Sequence, residues 1–427
     1  MSRARGNRWR RGLAWALAVA FAAVIALFMV AFQQGELTAQ IARERLLALS
    51  PWWFVLITPI TLGGVRYLTL RFVPAAAGSG IPQVMAVTEQ PISPKRAGEK
   101  LLLSPAGALF KAVAVSLSMA GGGTVGREGP AIQVGASLLS CGSRLSGKVV
   151  IPHRVIAIAG AATGLAAAFS TPLAGVMYAF EEFLWRRRYR AIALVPLCVA
   201  AAAITGWLVT RDRQFFDVVV DAVNTPPWWS MLTLAAFCGV GAGAMGWLMM
   251  FALPRILPTP RSPTHGALIA GAIGLVLALL GVWSNGLSMG SGNETSAVLL
   301  DPAASIETTM MSVGLTKALA TTLTFGTGVP AGILTPSLAI GGGFGYDFAA
   351  LTNLDEMRQV LVLFGMTAFL SGVIRTPVTV ALMVAEMSGA SALGVELLVC
   401  ALIGGWSAKA LCREGVYEVA LHRILKK

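Results

Sequence analysis

From Gly12 to Phe32 the chain carries no strongly polar side chain, and Gln33 and Gln34 close the run. A helix of that length crosses the roughly 30 Å hydrocarbon core of a bilayer. Apolar stretches recur at 51–70, 101–120, 130–141, 151–180, 191–210, 229–256, 266–285, 311–340, 358–387 and 392–411. This pattern predicts an all-α integral membrane protein. The apolar region of a cleaved signal is about half the length of the first stretch and is not repeated down a chain, so residues 12–32 read as a span. Many stretches are interrupted by glycine or proline, and some are too short to cross without tilt. Unwound backbone at membrane depth is tolerated only where protein buries it or where it lines a polar cavity. A buried polar path is therefore expected.

The interruptions repeat. At an offset of 206 residues, Lys111, Ala112, Ala114, Leu117, Gly122, Gly126, Pro130 and Gly135 meet Lys317, Ala318, Ala320, Leu323, Gly328, Gly332, Pro336 and Gly341. One residue is then lost, and Gly160, Leu165, Thr171, Pro172 and Glu181 meet Gly365, Leu370, Thr376, Pro377 and Glu386. The chain reads as a single transport domain, 1–427, made of two related repeats, approximately 12–215 and 225–427. Repeats with corresponding glycine and proline breaks are the pattern of transporters whose site lies at the repeat interface. The sequence does not show whether the repeats are inverted.

Charge adds orientation. Of 427 residues, 56% are hydrophobic and 12% charged, and the formal net charge is +13. The basic residues cluster at Arg3, Arg5, Arg8, Arg10 and Arg11, at Arg186, Arg187, Arg188 and Arg190, and at Arg423, Lys426 and Lys427. Segment 286–310 has Glu294, Asp301 and Glu307 but no lysine or arginine. That asymmetry places both termini on the cytoplasmic side. No aromatic–basic interleaving accompanies the charge, so no nucleic-acid partner is expected. The cysteines, Cys141, Cys198, Cys238, Cys400 and Cys412, form no CxxC pair. His153, His265 and His422 cannot form a helical metal pair. Neither a metal site nor enzyme catalysis is expected. The GxGxxG at Gly121, Gly123 and Gly126 lacks the preceding strand and following acid of a dinucleotide site.

Three segments share one design: Gly78-Ser79-Gly80-Ile81-Pro82, Gly126-Arg127-Glu128-Gly129-Pro130 and Gly332-Ile333-Leu334-Thr335-Pro336. Each is a glycine-rich approach to a proline that suits the first turn of a helix. Helix N-termini carry about half a positive charge each and bind anions without a formal cation. A weak grip of that kind permits release, which transport requires.

In order and wording these segments resemble the signatures of the chloride channel/transporter (CLC) family: GSGIP at 78–82, GREGP at 126–130 followed by Gln133, and a GxFxP-like GILTP at 332–336. The resemblance continues through Pro172-Leu173-Ala174-Gly175 to Glu181-Glu182 and Tyr417. It implies inverted repeats of tilted and broken helices, a homodimer with one pore per subunit, residence in a bacterial inner membrane, and no cofactor. It also implies an anion site formed by Ser79, Gly80, Ile81, Glu128, Gly129, Ile333, Leu334 and Tyr417. Glu128 matches the family's gate and Glu182 its internal proton-transfer residue. Leu334 departs from the usual Phe, and Gln83 and Met85 stand where many relatives carry acids. Regulatory domains of the cystathionine-synthase type are not expected after Tyr417.

The implied function is exchange of chloride for protons, with a passive, voltage- or pH-gated chloride channel on the same fold as the alternative. An ionised Glu128 is itself an anion and can occupy an anion site, whereas a protonated one leaves it. Glu182 favours exchange, because an intramembrane carboxylate usually marks a proton or ion route. Lys111 and Lys317, equivalent in the repeat, are expected to share a structural role such as covering helix C-terminal carbonyls, with a bias of the anion path by Lys111 as the further reading. Glu181 and Glu386 are likewise equivalent, so a shared structural role is expected of them, an ion pair or a helix-end contact. Glu182 faces Met387 in that comparison, which makes it the asymmetric acid.

Overall fold

The computed structural model describes residues 2–89, 102–145, 151–184, 192–211, 215–216, 226–302 and 312–426, the side chains of 2–8, 10 and 11 excepted. No strand occurs among them, and two isolated bridges, Gly78 with Pro330 and Gly126 with Gly332, are the extended pairings. The first half comprises α1 (Ser2–Leu49), α2 (Phe54–Phe72), α3 (Ile81–Glu89), α4 (Pro105–Ala120), α5 (Glu128–Arg144), α6 (His153–Phe169), α7 (Pro172–Tyr178) and α8 (Leu194–Thr210). The second comprises α9 (Trp228–Ile256), α10 (Pro263–Trp283), α11 (Asn293–Leu300), α12 (Val313–Thr327), α13 (Leu334–Thr352), α14 (Arg358–Ile374), α15 (Pro377–Ser388), α16 (Gly394–Leu411) and α17 (Val416–Leu425). Six of these are long and apolar enough to cross a membrane. Basic residues 186–190 and Glu307 lie outside the described residues.

The apolar pattern finds the long helices, and the breaks fall at the expected glycine and proline interruptions. Stretch 151–180 divides after Phe169, where Ser170 turns left-handed at φ 57° before Pro172 opens α7. Stretch 358–387 divides in the same way after Ile374, with Arg375 at φ 63° and Pro377 opening α15. Stretch 311–340 divides at Gly328, φ 68°. Proline cannot continue a helix, and the residue before it is driven to extended backbone: Thr171 and Thr376 sit at φ −120°, ψ 79° and φ −120°, ψ 76°. Three short helices, α3, α11 and α17, escape the pattern because each is ten residues or fewer. The first helix runs well past Gln33. Glu36 and Arg43 keep it inside the protein, each being buried against partners from other helices.

Helix pairs α5–α6 and α13–α14 pack closely in the two halves. A Cβ on Gly135 would collide with the Gly160 carbonyl oxygen, and one on Gly341 with the Gly365 carbonyl oxygen. Lipid is as apolar as leucine, so association rests on such small-residue seams and on polar contacts.

The halves also bind one another reciprocally. Glu181, in the wide turn Ala179–Leu184 after α7, accepts from Val378 N at 3.1 Å, Thr379 N at 2.8 Å and Thr379 Oγ1 at 2.7 Å. Glu386 on α15 accepts from Leu173 N at 3.0 Å and Ala174 N at 2.8 Å. Each carboxylate thus satisfies the bare first-turn N–H groups of the equivalent helix in the other half. Such an exchange between equivalent positions is what a pseudo-two-fold axis produces, and of the two shared roles expected of this pair it is the helix-end contact that is observed. The lysines are close to expectation, with one correction. Lys111 Nζ donates to Gly78 O (3.0 Å) and Gln133 Oε1 (2.6 Å), and Lys317 Nζ to Met289 O (2.6 Å) and Gly290 O (3.2 Å). These carbonyls belong to the turns entering α3 and α11 rather than to helix C-termini, and Gly78 O accepts from Ala331 N as well.

Candidate functional site

Three turns meet where the repeats touch. Gly126 N donates to Gly332 O (2.8 Å), Gly332 N to Gly126 O (2.9 Å), and Ala331 N to Gly78 O (3.3 Å). These bonds tie the approaches to α3, α5 and α13 together, so the starts of the three helices converge. The convergence is tight: a Cβ on Gly129 would lie 3.0 Å from Ser79 Cβ and 3.3 Å from Gly332 Cα. Gly80, at φ +106°, holds a conformation that disfavours other residues, and a Cβ there would lie 2.9 Å from Gly129 O. Ile81, Ile333 and Leu334 are all buried at this junction.

Glu128, the first residue of α5, is 0% exposed. Among the described residues, neither of its carboxylate oxygens has a hydrogen-bond partner. The side chain folds over Gly126 and faces Thr335, whose hydroxyl is also without a partner. Buried polar groups are nearly always paired, so this set of bare groups calls for an explanation. Ser79 Oγ accepts from Ile81 N at 3.3 Å, which closes the turn and leaves its proton free to be donated. Tyr417, second residue of α17, faces Ser79 and is 5% exposed, and among the described residues its hydroxyl makes no well-formed hydrogen bond. It is therefore buried beside Ser79 rather than placed at the protein surface.

Glu182 stands apart from this cluster, in a cavity of about 660 Å³ that Tyr417 also lines. Glu89, Glu181, Glu414 and Glu418 share the cavity, with Arg375 and His422 as its basic residues. Tyr178, 1% exposed with a partnerless hydroxyl, faces both Glu182 and Tyr417. Sequence reasoning missed Tyr178, although it lies four residues before Glu182, a spacing that puts two side chains on one side of a helix.

Arg127, next to the gate candidate, points elsewhere. Its guanidinium pairs with Glu36 at 3.1 Å, donates to Ala168 O at 3.0 Å, and lies 5.7 Å from the Phe215 ring centroid. Glu36 was missed because its neighbours Gln33, Gln34 and Gly35 read as the end of a span. No cluster of metal-binding side chains occurs among the described residues.

In chemical terms, a small anion at this junction would accept from backbone N–H groups of three helix starts and from the Ser79 and Tyr417 hydroxyls. Arg127, beside the junction, is held by Glu36 and by Ala168 O.

Comparison with known proteins is consistent in kind. Residues 64–409 match the voltage-gated chloride channel family. The H(+)/Cl(-) exchange transporter ClcA of Vibrio parahaemolyticus is 30% identical over 92% of this chain and 84% of its own length. The protein of the same name from Cronobacter sakazakii is 27% identical over 88% and 81%. Among solved structures, a slow cyanobacterial Cl-/H+ antiporter superposes with a TM-score of 0.83 at 24% identity, covering 97% of this chain and 98% of that one. A CLC-type fluoride/proton antiporter gives 0.75 at 20% identity, covering 96% and 97%.

Proposed function

The chain belongs to the voltage-gated chloride channel (CLC) family, and from that premise we propose that it exchanges chloride for protons across a membrane. The observation that carries this reading is the buried Glu128 carboxylate, which has no donor on either oxygen and stands where three helix starts converge. An ionised carboxylate there mimics the transported anion. When a proton neutralises it, the helix ends no longer hold it, and chloride takes its place. Ser79, Gly80, Ile81, Gly129, Ile333, Leu334 and Tyr417 form the rest of the anion site. Glu182 passes protons between the acidic cavity and Glu128, with the Tyr178 hydroxyl on the way. The protein works as a homodimer in the bacterial inner membrane with both termini cytoplasmic, and needs no cofactor.

Purified protein in sealed liposomes under an outward chloride gradient is expected to drive protons uphill into the vesicles. Simultaneous chloride-electrode and pH measurements decide it. Chloride flux without linked proton flux would leave the passive channel.

Selectivity gives a second expectation. The serine of GSGIP resembles that of chloride-preferring relatives, and proline at this position resembles nitrate-preferring ones. Ser79→Pro removes a hydroxyl donor and a backbone N–H, a loss that penalises compact, strongly hydrated chloride more than nitrate. The nitrate-to-chloride flux ratio should rise several-fold in paired efflux assays, and an unchanged ratio would reduce Ser79 to a turn-forming residue.

A further inference from the structure

The turn that builds the first half of the anion site occurs twice. Gly78-Ser79-Gly80 has φ +73° at Gly78 and +106° at Gly80, and Gly290-Ser291-Gly292 has +73° and +97°. Ser79 Oγ accepts from Ile81 N at 3.3 Å and Ser291 Oγ from Asn293 N at 3.4 Å. Lys111 and Lys317 donate to the first glycine carbonyl of their respective turns. What the two turns hold differs. The helix after the second turn begins with Asn293, whose Nδ2 donates to Glu36 Oε1 at 3.0 Å. The other Glu36 oxygen pairs with Arg127 at 3.1 Å. A carboxylate of the protein is therefore fixed beside the second turn, and it engages the arginine adjacent to Glu128.

We propose that Glu36 is a positioning residue of the gate: by neutralising Arg127 and holding it away, it keeps the gate carboxylate free of a fixed cation. This rests on the reading of Glu128 as the gate. Both partners are almost fully buried, so their charges are poorly screened. The groups facing Glu128 are Glu36, Arg127, Thr335 and Tyr417. Further along α1, Arg43 pairs with Glu294 of α11, and Lys317 of α12 faces that pair. These carry a charge of their own but are already matched by Glu294 and by turn carbonyls. Glu36 is thus the negative charge assigned to Arg127. Without it, an uncompensated guanidinium next to Glu128 favours the ionised gate, and more protons are needed to open the path.

The test is the pH profile of chloride flux in liposomes, read with the proton-to-chloride ratio. Glu36→Gln keeps shape and the Asn293 contact while removing the charge. Its half-maximal flux should move about one pH unit toward acid, equivalent to about a tenfold higher proton concentration, with the coupling ratio retained. Glu36→Asp should restore the profile at least in part. In a Glu128→Ala background the shift should vanish, since nothing is left to titrate. An unmoved profile in Glu36→Gln, or a shift that persists without Glu128, overturns the proposal. Should Glu36→Gln not fold, Arg127→Gln removes the cation instead and must move the profile oppositely, toward neutral or alkaline pH; no movement there is equally fatal. Failure of the gate reading looks different, because Glu128→Ala alone would then still pump protons.

Discussion

Glu128→Ala is expected to leave chloride moving while proton flux falls to background. Alanine keeps the α5 start and its backbone N–H groups, and these converge with the starts of α3 and α13 through the paired turns at Gly126 and Gly332. Nothing in that framework depends on the carboxylate, since neither oxygen accepts a bond. Removing it therefore costs little stability and exchanges an occupied anion site for an open one. A methyl group carries no proton, so an imposed chloride gradient should no longer move protons uphill. The pH dependence of chloride flux should flatten as well, because the group whose protonation opened the site has gone. Parallel chloride and proton traces from reconstituted variant protein check both points. If the alanine variant still pumps protons, Glu128 is not the gate.

Two adjacent acids should part company in the same assay. Glu182→Gln is expected to stay folded and conduct chloride with a proton-to-chloride ratio near zero, because an amide keeps the shape and hydrogen-bonding capacity of the acid but cannot titrate. Glu181→Gln should do the reverse. Its carboxylate closes the start of α15 through two backbone N–H groups and the Thr379 hydroxyl. Weakening charge-assisted bonds of that kind costs about 2 kcal/mol. Lower yield, a lower melting temperature and slower turnover should result, with the coupling ratio kept. Measuring flux ratio and thermal stability on both variants separates them. A ratio that collapses in Glu181→Gln and survives in Glu182→Gln would exchange their roles.

The distinction between these acids was legible in the sequence because a repeat compares a chain with itself. Glu386 marks Glu181 as the shared feature, and Met387 marks Glu182 as the departure. The three glycine–proline turns were legible for a different reason. A helix start entered through glycine and fixed by proline is a local property, and locality is what a sequence displays. Their convergence was not local, because it depends on backbone bonds such as Gly126 to Gly332 between residues far apart in the chain. The pairing of Glu36 with Arg127 and of Arg43 with Glu294 was hidden for the same reason. A charge in an apolar stretch looks like the end of a span until the distant opposite charge that lets it stay buried is seen. Tyr178 hid among ordinary apolar neighbours, since only the missing partner of its hydroxyl sets it apart.

The exchange of carboxylates between the halves bears on how the chain comes together during synthesis. Residues 172–174 open α7 in the first half to be made, yet the acceptor for their N–H groups is Glu386, which emerges from the ribosome more than two hundred residues later. Until then the start of α7 is an unfilled socket within the bilayer. Glu181, already made, waits in turn for α15. Neither half can complete this one helix start by itself, so the two sockets close only once both halves are in place. An early-formed first half is in this sense a template that recognises the correct second half by its own vacancies.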